Sequence, residues 1–325
     1  MFHQTSIAKW CILNRLWLNS QMHKLLILSD LTDQYRKLIE EARLPDLIIE
    51  STLTPEVDIV LGSPALIKDA LASLPALRWV QSTAAGVEAL MNPTLRRDYT
   101  LTNARDVFGR LMTEYVFGYL LAHERQIFQR FKDQQNRHWN GSKLGVLYGK
   151  TIGLLGVGSI GAEVARTAKF FEMNVRGYTR ESEESTHVDR YFHGDRLLEF
   201  AAGLDYLVSV LPNTQGTRKI VNAELLNALP SHALFINVGR GSAVDEAALL
   251  NALNQNKLAG AVLDVFEQEP LPKDHPFWTT PNLLMTFHTS APSLPEDLAK
   301  LFIENYKLFH AGKPPKHQVD FEKGY

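Results

Sequence analysis

Cysteine is almost missing. Cys11 is the single one in 325 residues, so no intrachain disulfide can form and no cysteine-based metal cluster is available. That usage fits a reducing, cytoplasmic setting. Long hydrophobic runs are lacking too: no stretch reaches 18 uninterrupted apolar residues, which leaves no candidate for a membrane-spanning helix. Nor is there an excess of charge of one sign. The 34 Lys and Arg against 36 Asp and Glu give a net charge of −2, so no whole-protein field draws the chain to nucleic acid or to a membrane surface. Internal repeats and low-complexity tracts are absent. What remains is ordinary globular composition, 45% hydrophobic and 22% charged, over a length that suits two domains with real cores.

The first residues stand apart. The apolar run WCILNRLWL is interrupted by Asn14 and Arg15 and lacks a small-residue cleavage site, so it reads poorly as a secretory signal. A transit peptide is the alternative. Met22 offers a second start, and residues 1–22 are expected to form a disordered extension.

From Lys24 onward, short apolar runs alternate with helical patterns. KLLILS (24–29), DLIIE (46–50), DIVLG (58–62) and LRWVQS (77–82) read as buried parallel strands with crossover helices between them. A single long helix is predicted over about Arg110 to Trp139. A second series follows, with strands predicted at TIGLLG (151–156), NVRGYT (174–179), LDYLVSVLP (204–212), ALFINV (233–238), AGAVLDV (259–265) and NLLMTFH (282–288). One more amphipathic helix is expected from Pro295 to Ala311. The alternation predicts an α/β protein with doubly wound parallel sheets.

In TIGLLGVGSIG, Gly156, Gly158 and Gly161 have the G-x-G-x-x-G spacing, between an apolar strand and a helix. Gly156 permits the tight turn, Gly158 leaves room for a pyrophosphate, and Gly161 lets helix and strand approach. The N–H groups near Ser159 and Ile160 would face the phosphates, helped by the helix dipole. A ligand-free turn, a flavin site and an adenosylmethionine site are the other readings of this pattern. The next strand ends in Thr179 and Arg180, where an NAD site would carry a carboxylate for the ribose hydroxyls. A hydroxyl and a guanidinium suit the 2′-phosphate of NADP instead, with Ser182 as a further hydroxyl. NADP is therefore the expected cofactor, with NAD as the alternative. Glu181 and Glu183 lie close by, and a solvated Arg180 neutralised by them is the competing reading.

Three more stretches put polar groups at the ends of consecutive predicted strands, where such sheets bind ligands. They are INVGRGSAVDE, LDVFEQEPLP and MTFHTS, carrying Arg240, Glu269 and His288. Each residue alone has a structural explanation; their shared placement is what selects them. His288 is the side chain type that donates a proton near neutral pH, Glu269 would orient its ring, and Arg240 would polarise a carbonyl and pair with a carboxylate.

The order of these segments resembles the D-isomer-specific 2-hydroxyacid dehydrogenase family, and the Thr-Arg strand end its glyoxylate/hydroxypyruvate reductase branch. The resemblance is carried by the glycine turn, LPNT (211–214), NVGRG (237–241), DVFEQEPLP (264–272), His288 and the loop STAAGVEAL (82–90). It implies a Rossmann-type dinucleotide-binding domain, residues 116–288, inserted in a flavodoxin-like substrate domain formed by residues 23–115 and 289–325. It further implies reduction of a small 2-keto acid, with Arg240, Glu269 and His288 catalytic. The backbone amides of Ala85, Gly86 and Val87, together with Arg240, would hold the substrate carboxylate. Pro212, Asn213, Thr217 and Val238 would line the cofactor site and Asp264 would contact the nicotinamide end. No metal is expected, and a homodimer is. Two positions depart from the family: AAG (84–86) replaces a loop with a second glycine, and TSAPS follows His288. Competing readings are an NAD-linked dehydrogenase for D-lactate or a bulkier 2-hydroxy acid, and a dinucleotide-sensing regulatory protein. Formate or phosphite oxidation on a related scaffold ranks behind these.

Overall fold

The β-branched and leucine-rich runs pair in parallel throughout, as expected of strands covered on both faces. The computed structural model describes residues 22–322, so the expectation for residues 1–22 lies, Met22 aside, outside the described residues. The chain divides into two units, one of Met1–Arg105 with Ser293–Tyr325 and one of Asp106–Pro292.

In the first unit, β1 (His23–Leu28), β2 (Leu47–Glu50), β3 (Ile59–Gly62), β4 (Trp79–Ser82) and β5 (Thr100–Thr102) form one parallel sheet in the order β2-β1-β3-β4-β5. That is the flavodoxin-like order. Helices α1 (Thr32–Glu41) and α2 (Pro64–Ala70) make crossovers. The C-terminal helix Pro295–His310 returns to this unit through aromatic packing, with Trp79 stacked on Phe302 at 5.1 Å between centroids. Asn305 donates to Gln81 Oε1 at 2.9 Å, and the Tyr306 hydroxyl donates to the Pro45 carbonyl at 2.6 Å. Buried aromatics of this size dominate local packing, which explains why a segment so distant in sequence belongs here.

The second unit carries a seven-stranded parallel sheet. Its strands are β6 (Thr151–Leu155), β7 (Asn174–Tyr178), β8 (Arg190–Phe192), β9 (Tyr206–Ser209), β10 (Leu234–Asn237), β11 (Gly260–Leu263) and β12 (Leu283–Met285). The order β12-β11-β10-β9-β6-β7-β8 places the strand of the glycine turn at the point where the winding reverses. This is the Rossmann arrangement with one added edge strand. Apolar clusters fill both faces, one around Phe200, Leu225 and Phe235, the other around Val116, Val164 and Ile236.

One expectation is corrected. The predicted long helix is two helices, α3 (Gly109–Glu124) and α4 (Ile127–Gln135), because Gln126 takes a left-handed φ of 52° between them. Arg130 then reaches back to the Ser142 carbonyl at 2.7 Å and fastens the polar tail as a loop. The division between units falls at Arg105/Asp106 and Pro292/Ser293. The cause is α3, which packs on the glycine-turn helix: a Cβ at Gly109 would come within 3.2 Å of Glu163 Cβ and within 3.5 Å of the Ser159 carbonyl.

Candidate active site

The glycine turn has the shape its spacing predicts. Gly156 has φ +93°, a conformation that residues with a Cβ rarely adopt. A Cβ on Gly161 would sit 2.3 Å from the Gly156 carbonyl oxygen, so only glycine allows α5 (Ser159–Phe170) to begin this close to the strand end. A Cβ on Gly158 would meet no heavy atom within 4 Å, so the turn is open on that side. The first intrahelical bond runs from Ala162 N–H to the Gly158 carbonyl, and the amides of Ser159, Ile160 and Gly161 precede it. Open space against a helix N-terminus is what a pyrophosphate requires, so these residues fit a dinucleotide.

At the end of β7, Thr179 is buried and Arg180 is exposed. The Thr179 hydroxyl donates to the Ser182 carbonyl at 2.7 Å and lies 3.1 Å from His193 Nδ1. It shapes the loop that follows β7. The Asn213 side chain accepts from the Ser242 hydroxyl at 2.9 Å, and the Thr217 hydroxyl donates to the Pro212 carbonyl at 2.6 Å. Val238 is buried, its N–H donating to the Ser209 carbonyl at 3.0 Å. Polar side chains expected to line the cofactor thus brace loops at the carboxyl ends of β9 and β10.

The predicted acid and its partner are brought together. His288 Nδ1 lies 2.7 Å from Glu269 Oε2, and Glu269 Oε1 accepts the Phe266 N–H at 2.9 Å. Both carboxylate oxygens are therefore engaged. The ring is held through Nδ1. His288 itself has a left-handed φ of 57°. Its N–H donates to the Asp264 carbonyl at 2.8 Å. The Asp264 carboxylate, fully buried, then collects the Thr289 N–H at 2.9 Å, the Ser290 N–H at 3.1 Å and the Thr286 hydroxyl at 2.5 Å. A non-glycine residue keeps this backbone only where its surroundings overdetermine it. The side chain of Asp264, expected at the nicotinamide end, also braces the turn that presents His288.

Arg240 follows β10 on a loop organised by Asn237. The buried Asn237 side chain donates to the Arg240 carbonyl at 3.1 Å and accepts the Gly239 N–H at 3.2 Å. A Cβ on the next residue, Gly241, would come within 1.8 Å of the Phe266 carbonyl carbon. The Arg240 loop is thereby pressed against the residue whose amide holds Glu269. In the other unit, the carbonyls of Ala84 and Ala85 accept from the Ala104 N–H and the Asn103 side chain, which pins the loop carrying Ala85, Gly86 and Val87 from its carbonyl side.

Sequence reasoning missed the supporting groups. Asn237 opens the NVGRG motif, so its signal was present and unused. The Tyr115 hydroxyl donates to the Thr286 hydroxyl at 2.7 Å across 171 positions, and no local pattern announces such a pair. Among the described residues, no cluster of metal-binding side chains occurs and no helix is long and apolar enough to cross a membrane.

Residues 117–290 match the sequence profile of the D-isomer specific 2-hydroxyacid dehydrogenase NAD-binding domain. A glyoxylate/hydroxypyruvate reductase A of Yersinia enterocolitica is 33% identical over 265 residues, covering 79% of this chain and 85% of its own. Among solved structures, a D-isomer specific 2-hydroxyacid dehydrogenase family protein of Aeromonas salmonicida is 42% identical with a TM-score of 0.88, over 93% of this chain and 100% of its own. A D-isomer specific 2-hydroxyacid dehydrogenase of Xanthobacter autotrophicus, in complex with NADPH and MES, is 33% identical with a TM-score of 0.85, over 94% and 100%.

Proposed function

Since this chain belongs to the D-isomer-specific 2-hydroxyacid dehydrogenase family, and is an NAD(P)-dependent oxidoreductase, we propose that it reduces a glyoxylate- or hydroxypyruvate-type 2-keto acid to the D-2-hydroxy acid, preferring NADPH. The observation that carries the reading is the His288–Glu269 pair, 2.7 Å apart at the carboxyl ends of the sheet that bears the glycine turn. When bound, the nicotinamide supplies a hydride to the carbonyl carbon. His288 Nε2 delivers the proton to the carbonyl oxygen while Glu269 holds Nδ1. Arg240 pairs with the substrate carboxylate and stabilises negative charge as it develops on that oxygen. A carboxylate clamp from the amides of Ala85, Gly86 and Val87 completes the assignment and rests on the sequence resemblance.

The NADPH preference rests on Arg180 and on the NADPH complex of the Xanthobacter relative. Initial rates with NADPH and NADH on glyoxylate and hydroxypyruvate test it. A charge-assisted contact of about 1.5–3 kcal/mol corresponds to about 10- to 150-fold, so at least a tenfold advantage in kcat/KM is expected for NADPH. Equal use, or an NADH advantage, returns Arg180 to a solvated side chain and favours an NAD-linked dehydrogenase.

A homodimer forming through the second unit is also proposed. Ile127, Phe128, Phe131, Trp139, Val146 and Tyr148 are all exposed there, Trp139 at 96%. A run of exposed large apolar groups marks an association surface. Sedimentation is expected to give twice the 36.7 kDa chain mass, and a single-chain mass would remove the proposal.

A further inference from the structure

The geometry points to His193 as a second cation of the adenosine site, one that contacts the 2′-phosphate of NADP beside Arg180. This rests on the NADP reading above and adds to it a residue that the glycine and Thr-Arg motifs do not include.

β8 pairs with β7 in register Tyr178↔Phe192, so His193 emerges level with Thr179 on the next strand out. Both ring nitrogens of His193 face acceptors. Nδ1 lies 3.0 Å from the Thr179 carbonyl and 3.1 Å from its hydroxyl, whose own hydrogen goes to the Ser182 carbonyl. Nε2 lies 2.7 Å from Glu183 Oε1. A carbonyl and a carboxylate can only accept, so a neutral ring would leave one of these contacts without a hydrogen. The doubly protonated imidazolium satisfies both. Consistently, the Glu183 hydrogen bond and then the Thr179 carbonyl hold the His193 pKa above its ordinary value, while Arg196 on the following turn opposes them. The side chain is 31% exposed, enough to be reached from outside.

The result is a cation held at the strand end where the adenosine ribose is expected. It is covered by a carboxylate on a loop in which every residue from Arg180 to Glu184 is exposed. Glu183 occupies the position of an anion. A 2′-phosphate carries more charge than Glu183 and offers three acceptor oxygens, so it can take over the contact from Nε2. The charged groups around the ring are Glu183 and Arg196, with Arg180 adjoining Thr179 in the chain.

A group with a raised pKa is a cation below that pKa and is lost as pH rises through it. Phosphate affinity therefore falls toward alkaline pH. The second ionisation of the phosphate, near pKa 6, is complete by then and does not contribute.

The test measures dissociation constants of 2′,5′-ADP and 5′-AMP by calorimetry on the full chain, between pH 7 and 9. Wild type is expected to bind 2′,5′-ADP about tenfold more weakly at the alkaline end, with 5′-AMP unchanged. His193→Gln should be weak and flat. His193→Lys, which stays charged across the range, should be tight and flat. If 2′,5′-ADP is preferred over 5′-AMP equally at every pH and in His193→Gln, the imidazolium only ties the loop and the inference fails while the NADP reading stands. If 2′,5′-ADP is never preferred, the NADP reading itself fails.

Discussion

Replacing His288 with alanine is expected to lower kcat about 10²- to 10⁴-fold, the range for a positioned general acid, while NAD(P)H affinity stays within about twofold. The split follows from where the residue sits. Its ring is held by Glu269 at the end of the sheet, apart from the glycine turn proposed to bind the dinucleotide. A fluorescence titration of NADPH and steady-state turnover on the same preparation separate the two effects. Near-normal turnover would remove His288 from the mechanism, and a large loss of NADPH affinity would make it a cofactor residue. Glu269→Gln should fall between wild type and His288→Ala, because an amide oxygen still accepts from Nδ1 but brings no charge.

Asp264→Asn gives the second large effect and decides between two roles for one carboxylate. Its oxygens accept two backbone amides and one hydroxyl, all from Thr286, Thr289 and Ser290. An asparagine presents N–H groups to one set of these donors, so at least one contact is lost and the turn holding His288 at φ 57° relaxes. A displacement of about 1 Å at a reacting group costs on the order of 10²-fold. We expect kcat to fall by that amount at saturating cofactor, with a stability loss of about 1–3 kcal/mol read from a denaturant melt. The nicotinamide-contact role makes the opposite demand: cofactor affinity falls and saturating kcat holds. That second pattern would favour the role the sequence suggested.

Most of this architecture is legible in the chain because parallel strands buried on both faces leave continuous apolar runs. KLLIL, IVLG and ALFIN need no context to be read. The three-residue strands are different. Thr100–Thr102 and Arg190–Phe192 are too short to show a period, and they exist because a neighbouring strand presents a free edge. The break at Gln126 has no local signal: glutamine is a good helix former, yet the residue takes a left-handed φ of 52°. At the site, motifs gave the residues and not their partners. The motifs name Asn213, Thr217 and Thr179, and the structure engages each with a neighbouring loop.

The position of β12 has a further consequence. The glycine turn leaves β6, which has β7 on one side and β9 on the other, whereas His288 follows a three-residue strand paired only with β11. The glycine turn is thus mounted on an internal strand and His288 beside one of the two short edge strands of the same sheet. Local opening is cheapest where pairing is one-sided. The carboxylate of Asp264 acts as a latch on that border, fastening the turn that carries His288 to the edge of the sheet.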